Sequence, residues 1–150
     1  MDNTTTLRLN LATVAKDAFS ALLRYDKAAT AGVDETLADL VKIRASQING
    51  CGYCLDMHST EALKNGVPQK RLNVLAGWRE TAGVFTDAEL AALELTEEVT
   101  LVSQGGVPDD VFAEAAKHFT DEELGALLHL IFVINTWNRI AIATGKHATP

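Results

Sequence analysis

The chain has two cysteines, Cys51 and Cys54, separated by Gly52 and Tyr53, and His58 stands four residues after the second. A thiolate is the attacking form of cysteine, and a free thiol with a pKa of about 8.5 stays mostly protonated at neutral pH unless a base, a cation or a helix start stabilises the anion. Two such influences are written here. Cys51 falls near a predicted helix start, where free amides and the macrodipole favour negative charge. His58 falls one turn beyond Cys54 on the same predicted face, placed to take its proton. The two influences favour different cysteines. A thiolate that attacks a peroxide becomes a sulfenic acid, and a second thiol within one turn condenses with it to a disulfide, so this chemistry needs no metal.

Other uses of the same residues fit less well. Zinc would need a fourth ligand beyond Cys51, Cys54 and His58, and the sequence has no second C-x-x-C and no H-x-x-x-H. Haem attachment needs a histidine directly after the pair, where Leu55 stands. A thioredoxin-type site would sit beside a βαβ pattern, and none is present. The inert alternative is a buried pair of small apolar cysteines with a surface histidine.

The elements that must hold the pair read as helices. Leu11, Val14, Ala15, Phe19, Leu22 and Leu23 recur three and four apart and predict a helix from Leu7 to about Ala29. Asp34 can cap a second, with Leu37, Leu40, Val41, Ala45 and Ile48 on one stripe, ending near Asn49-Gly50. Cys51, Cys54, Leu55, His58 and Ala62 share a face of a third, which Asn65-Gly66 and Pro68 close. Pro68 opens a short fourth carrying Leu72 and Leu75, followed by a connection from Gly77 to Val84. Thr86-Asp87-Ala88-Glu89 and Thr120-Asp121-Glu122-Glu123 are capping boxes for a fifth helix to about Ser103 and a last one to Gly145. A short sixth lies between them, after Gly105-Gly106 and Pro108. No period-2 run is present, so the expected fold class is all-α, a bundle of about seven helices.

At 150 residues the expected organisation is one domain, residues 1–150, with residues 1–30 as an N-terminal helical extension. A net charge of -7 argues against nucleic-acid binding. The apolar stretch Leu124 to Ile142 is interrupted by His129, Asn135, Asn138 and Arg139, so no membrane span is expected, and Met1 to Thr6 has no signal-peptide pattern. The expected location is cytoplasmic. Arg44 falls on a core-facing stripe, where an unpaired charge is costly, and calls for a carboxylate partner. Apolar stripes on nearly every helix exceed what one small bundle covers, which points to a homo-oligomer.

Leu40-Val41-Lys42-Ile43-Arg44-Ala45-Ser46-Gln47-Ile48-Asn49-Gly50-Cys51-Gly52-Tyr53-Cys54-Leu55-Asp56-Met57-His58 closely resembles the signature of the alkylhydroperoxidase D (AhpD) core, within the carboxymuconolactone decarboxylase family. Trp78-Arg79-Glu80-Thr81, the Leu90-to-Thr100 helix and Ile134-Asn135-Thr136-Trp137-Asn138-Arg139 extend the likeness, which covers roughly Leu37 to Ala143. The resemblance implies an AhpD-like all-helical fold assembled as a trimer or hexamer. It implies a thiol peroxidase acting on hydrogen peroxide or organic hydroperoxides in antioxidant defence, without a bound cofactor, recharged by a dithiol or lipoyl-type donor, with a peroxiredoxin as a further partner.

Carried over by position, Cys54 resembles the cysteine that becomes sulfenic acid, Cys51 its resolving partner, and His58 the relay histidine. The resemblance therefore sides with the histidine over the helix start. The family's relay glutamate, twelve residues before the first cysteine, is Asp39 here, one methylene shorter, with Glu35 nearby. Tyr53 stands where some relatives have a histidine. Members that decarboxylate a muconolactone generally lack the cysteine pair, which makes that activity a minor alternative. The remaining rivals are a dithiol–disulfide exchange partner and a non-catalytic helical oligomer that binds metal or senses redox state.

Overall fold

Asp34 accepts a hydrogen bond from the amide of Leu37 and so starts the helix around which the others gather. In the computed structural model, which describes residues 7–150, the helices are α1 (Leu11–Val14), α2 (Lys16–Ala31), α3 (Glu35–Asn49), α4 (Gly52–Lys64), α5 (Gln69–Val74), α6 (Asp87–Thr100), α7 (Asp109–His118) and α8 (Asp121–Thr144). Two 3-10 turns, Leu75–Glu80 and Val102–Gln104, complete the regular structure of the described residues, which contain no strand. The fold is all-helical, as expected, with eight helices where the periodicity predicted about seven.

The extra helix comes from the N-terminus. Leu7 to Asn10 are not helical; Asn10 caps α1, and Ala15 breaks it from α2 with φ -133° and ψ 50°. The apolar spacing across this break is continuous, so periodicity alone reads one helix. Elsewhere the local signals hold. Gly50 ends α3 at φ 68°, a left-handed stop that favours glycine. Both capping boxes form, at Thr86 with Glu89 and at Thr120 with Glu123.

α3 packs against α4, α6 and α8. That three-sided cover explains why Leu37, Ala38, Asp39, Leu40 and Val41 are buried in succession rather than along one stripe. One apolar cluster joins Val41, Leu95, Leu127, Leu130, Ile131 and Val133 between α3, α6 and α8. A second joins Leu40, Ile43, Ala62, Leu75, Trp78 and Leu93 on the α4 side. α8 is long and apolar enough by length and composition to cross a membrane, although the interruptions in its sequence predicted otherwise. In the fold it is a packed element of the bundle, lying on α2, α3, α6 and α7.

Two buried polar clusters fix the helices. Glu97 on α6 accepts from Arg44 Nε at 2.8 Å, from Trp78 Nε1 at 2.7 Å and from Arg79, which supplies the carboxylate partner that Arg44 required. Burial pushes the Glu97 carboxyl up, but the hydrogen bonds from Arg79, Trp78 and Arg44 outweigh it and hold the group below the usual carboxylate range. The second cluster centres on fully buried Asn138. It donates to Ser46 Oγ at 2.9 Å and accepts from Asn49 Nδ2 at 2.9 Å, tying the last turn of α3 to α8 directly before the cysteine pair.

Candidate active site

Gly50 turns the chain out of α3, and Cys51 becomes the N-cap of α4 rather than its first helical residue. Its Sγ accepts from the Cys54 amide at 3.3 Å. The two sulfurs are joined in a disulfide, with Cα atoms 5.3 Å apart, a separation at which a bridge closes without moving the backbone. Both residues are 1% exposed and pack against Ala141 of α8, with Tyr53 beside them. Lys146 Nζ lies 4.0 Å from the centre of the Tyr53 ring, a cation over the ring face.

Cys54 and His58, one turn apart on α4, both line a cavity of about 550 Å³. Cys51 is outside its wall. Phe19, Leu23, Ile134, Trp137 and Ile140 supply apolar wall, and Asp26, Lys42, Glu61 and Lys146 supply charges of both signs. The outer wall is the non-helical segment at the N-terminus, with Leu7 and Leu9 against the cavity. Arg8 pins that segment to the end of α8: its amide donates to the Thr144 carbonyl at 2.8 Å and its guanidinium to the Ala143 carbonyl at 3.3 Å. The free carbonyls and negative pole of a helix C-terminus suit such a cation.

His58 is 6% exposed, and its Nδ1 lies 3.1 Å from Glu61 Oε2. Its Nε2 is buried with no hydrogen-bond partner among the described residues. Burial and the nearby Lys42 charge lower the proton affinity of His58, while the hydrogen bond to Glu61 acts in the opposite direction. Asp39 is 5% exposed, and burial pushes its carboxyl above the ordinary range against the hydrogen bond it accepts from Asn65 Nδ2 at 2.9 Å. No hydrogen bond joins Asp39 to His58 among the described residues. Of the four residues singled out in sequence, the fold thus brings Cys51, Cys54 and His58 together, while Asp39 on α3 is bonded to Asn65 and is not part of the cavity wall. Sequence reasoning passed over Glu61, although its place three residues after His58 on one helix was a legible signal.

A sequence profile described as the carboxymuconolactone decarboxylase family matches residues 15–98, from the start of α2 to the last turn of α6. The chain belongs to the carboxymuconolactone decarboxylase family. The uncharacterised protein YdfG of Bacillus subtilis is 40% identical over 116 residues, 77% of this chain and 78% of that protein. The alkyl hydroperoxide reductase AhpD of Maricaulis maris is 38% identical over 74 residues, 49% of this chain, so the match spans only 42% of that protein. A crystal structure from Agrobacterium tumefaciens, of a protein of unknown function provisionally assigned to antioxidant defence as AhpD, superposes with a TM-score of 0.90 at 36% identity. That match covers 97% of this chain and 100% of the other. An AhpD-like member of the carboxymuconolactone decarboxylase family is what the fold and these similarities establish.

Proposed function

We propose that the protein is a thiol-dependent peroxidase in which Cys54 attacks hydrogen peroxide or an organic hydroperoxide, Cys51 resolves, and His58 moves protons. The observation that carries this reading is the shared cavity wall: Cys54 and His58 line it, while Cys51 lies outside it within one turn. A peroxide entering the cavity meets Cys54. The Cys54 thiolate bonds to one peroxide oxygen, the O–O bond breaks, and the departing alkoxide takes a proton. The Cys51 thiol then condenses with the sulfenic acid, releasing water and forming the disulfide. An external dithiol of lipoyl type returns the pair to two thiols and becomes a disulfide itself, with a peroxiredoxin as a further redox partner. Asp39 enters the reading as a buried group whose raised affinity for a proton suits it to hold one behind the pair. Assembly as a homo-oligomer in the cytoplasm belongs to the same reading and is drawn from the family.

The test is a thiol count on reduced, chelator-washed protein before and after a slight excess of cumene hydroperoxide. Loss of both thiols, restored by dihydrolipoamide, is the expected result. Cys54→Ser should abolish peroxide reduction, and Cys51→Ser should accumulate a sulfenic acid that dimedone traps. Two thiols that persist in the folded protein would overturn the reading, and the reverse pattern in the two variants would exchange attacker and resolver.

A further inference from the structure

Glu61 is the one carboxylate hydrogen-bonded to His58 among the described residues. The two stand three apart on α4, with the imidazole buried and the glutamate side chain 51% exposed at the cavity rim. An ionised carboxylate only accepts hydrogen bonds, so the shared proton must belong to the histidine. The ring nitrogen facing Glu61 is Nδ1, which therefore carries the proton of the neutral ring and leaves the free electron pair on Nε2. That Nε2 is buried and lacks a donor among the described residues.

An orphaned buried acceptor is costly, and its identity suggests what completes it. Cys54 lies one turn away on the same face, and in the disulfide it has no S–H to give. Reduction restores one. We propose that Glu61 is the positioning residue of the thiol chemistry: it holds His58 in the Nδ1-protonated tautomer, so that Nε2 accepts the Cys54 proton once the pair is reduced. This inference rests on the peroxidase reading for its purpose, though not for its geometry.

The proton account closes. The Cys54 thiol gives its proton to Nε2, producing a thiolate and an imidazolium whose Nδ1–H remains on the Glu61 carboxylate. As the sulfur–oxygen bond forms and the O–O bond breaks, Nε2 passes that proton to the departing oxygen, and His58 returns to its neutral state. The cysteine is oxidised by two electrons and the peroxide is reduced by two. Burial and Lys42 both oppose the imidazolium and prevail overall, while the hydrogen bond and charge of Glu61, with Asp26, act against them. Besides Cys54, the charged or titratable groups that share the cavity with His58 are Asp26 from α2, Lys42 from α3, Tyr53 and Glu61 from α4, and Lys146 beyond α8. Of these, only Glu61 touches the ring.

The experiment uses reduced Cys51→Ser protein, which leaves one thiol, alone and combined with Glu61→Gln or Glu61→Ala. Iodoacetamide alkylation of Cys54 is followed against pH, and the His58 ring nitrogens are assigned by NMR. With Glu61 present, the proton of the neutral ring should be on Nδ1. Loss of the carboxylate charge should move the alkylation profile up by about one pH unit in both variants. Glu61→Gln, which can still accept from Nδ1, should keep the tautomer, and Glu61→Ala should release it. A profile that stays in place in both variants, or a His58 proton found on Nε2 with Glu61 present, would overturn the proposal. Peroxide is then added separately. A thiol with the expected alkylation profile that peroxide does not oxidise would sink the peroxidase reading while leaving the role of Glu61 standing.

Discussion

The side-chain amide of Asn65 donates to Asp39 Oδ2 at 2.9 Å, joining the C-cap of α4 to the buried face of α3. The carboxylate that the resemblance set at the position of a relay glutamate is therefore engaged with a helix end. The carboxylate on the histidine comes from α4 itself. This pairing makes Asp39 a clamp between the two helices that flank the cysteines, and separates its structural role from any part it has in moving protons.

Asp39→Asn tests that separation, because the substituted amide still offers a carbonyl oxygen to Asn65. Thermal stability should change little, and peroxide turnover should fall by about threefold, well short of the hundredfold or more that a lost general base costs. Steady-state peroxide reduction beside a thermal melt measures both. A hundredfold loss at unchanged stability would place Asp39 in the relay itself. Asp39→Ala should instead lower stability by about 1–3 kcal/mol, since Asn65 loses its acceptor.

Glu97 should set much of the acid sensitivity. Its folded pKa is held below the ordinary value of 4.5, so its contribution to stability is complete above that value and is lost as pH falls through the folded pKa. Glu97→Gln removes this component and leaves Arg44 and Arg79 without their shared anion. The expected loss is on the order of 3 kcal/mol at neutral pH, with a Tm lower by roughly 10 °C. Below pH 4 the gap between the variant and the natural protein should narrow. Melts between pH 3 and 7 would show it, and a gap that is constant with pH would remove Glu97 as the cause.

The segment over the cavity depends on Gly145. This glycine ends α8 at φ 74°, and a Cβ there would stand 3.4 Å from Arg8 Cγ. Gly145→Ala should cost about 1–2 kcal/mol for the left-handed backbone. That strain falls on the helix end that Arg8 holds, since the new methyl itself meets the Arg8 side chain only at ordinary contact distance. Arg8→Ala removes the guanidinium bond alone and should cost less than about 1 kcal/mol. Both variants should open the outer wall at Leu7 and Leu9 and speed alkylation of reduced Cys54. Equal rates in all three proteins would show that this segment does not limit access.

Gly32, the C-cap of α2, lies against α8: a Cβ there would lie 2.6 Å from Ala126 Cβ. The atom in the way is a Cβ fixed to the α8 backbone, which cannot rotate aside as the end of a long side chain would. Gly32→Ala should destabilise by about 1–3 kcal/mol, as overpacking does. Gly32→Ala combined with Ala126→Gly should recover most of the loss, because the second change removes the opposing methyl. Chemical denaturation of both would decide it, and an unaffected single variant would mean that α2 shifts freely.

The sequence by itself determined the local grammar: the left-handed stop at Gly50, the capping boxes at Thr86 and Thr120, and the spacing that stacks Cys54, His58 and Ala62 on one helical face. These are effects of neighbours within four residues, which propensity and periodicity report directly. The break at Ala15 was not legible, because nothing in a run of apolar positions three and four apart distinguishes one helix from two that bend at a single residue. Nor could a sequence say which acids meet which bases. Arg44 called for a carboxylate, but only packing chose Glu97, 53 residues away. Asn135 and Asn138 read as interruptions of an apolar run, and the fold makes them the polar link between α8 and the end of α3. Tertiary structure also decided that Cys54 faces the cavity, that Cys51 does not, and that Asp39 turns to Asn65, whereas the meeting of Glu61 with His58 is an i, i+3 contact within α4. The reason is physical: a buried polar group takes whichever partner the packing of several helices brings within hydrogen-bond reach, and that geometry is fixed only when the helices close on one another.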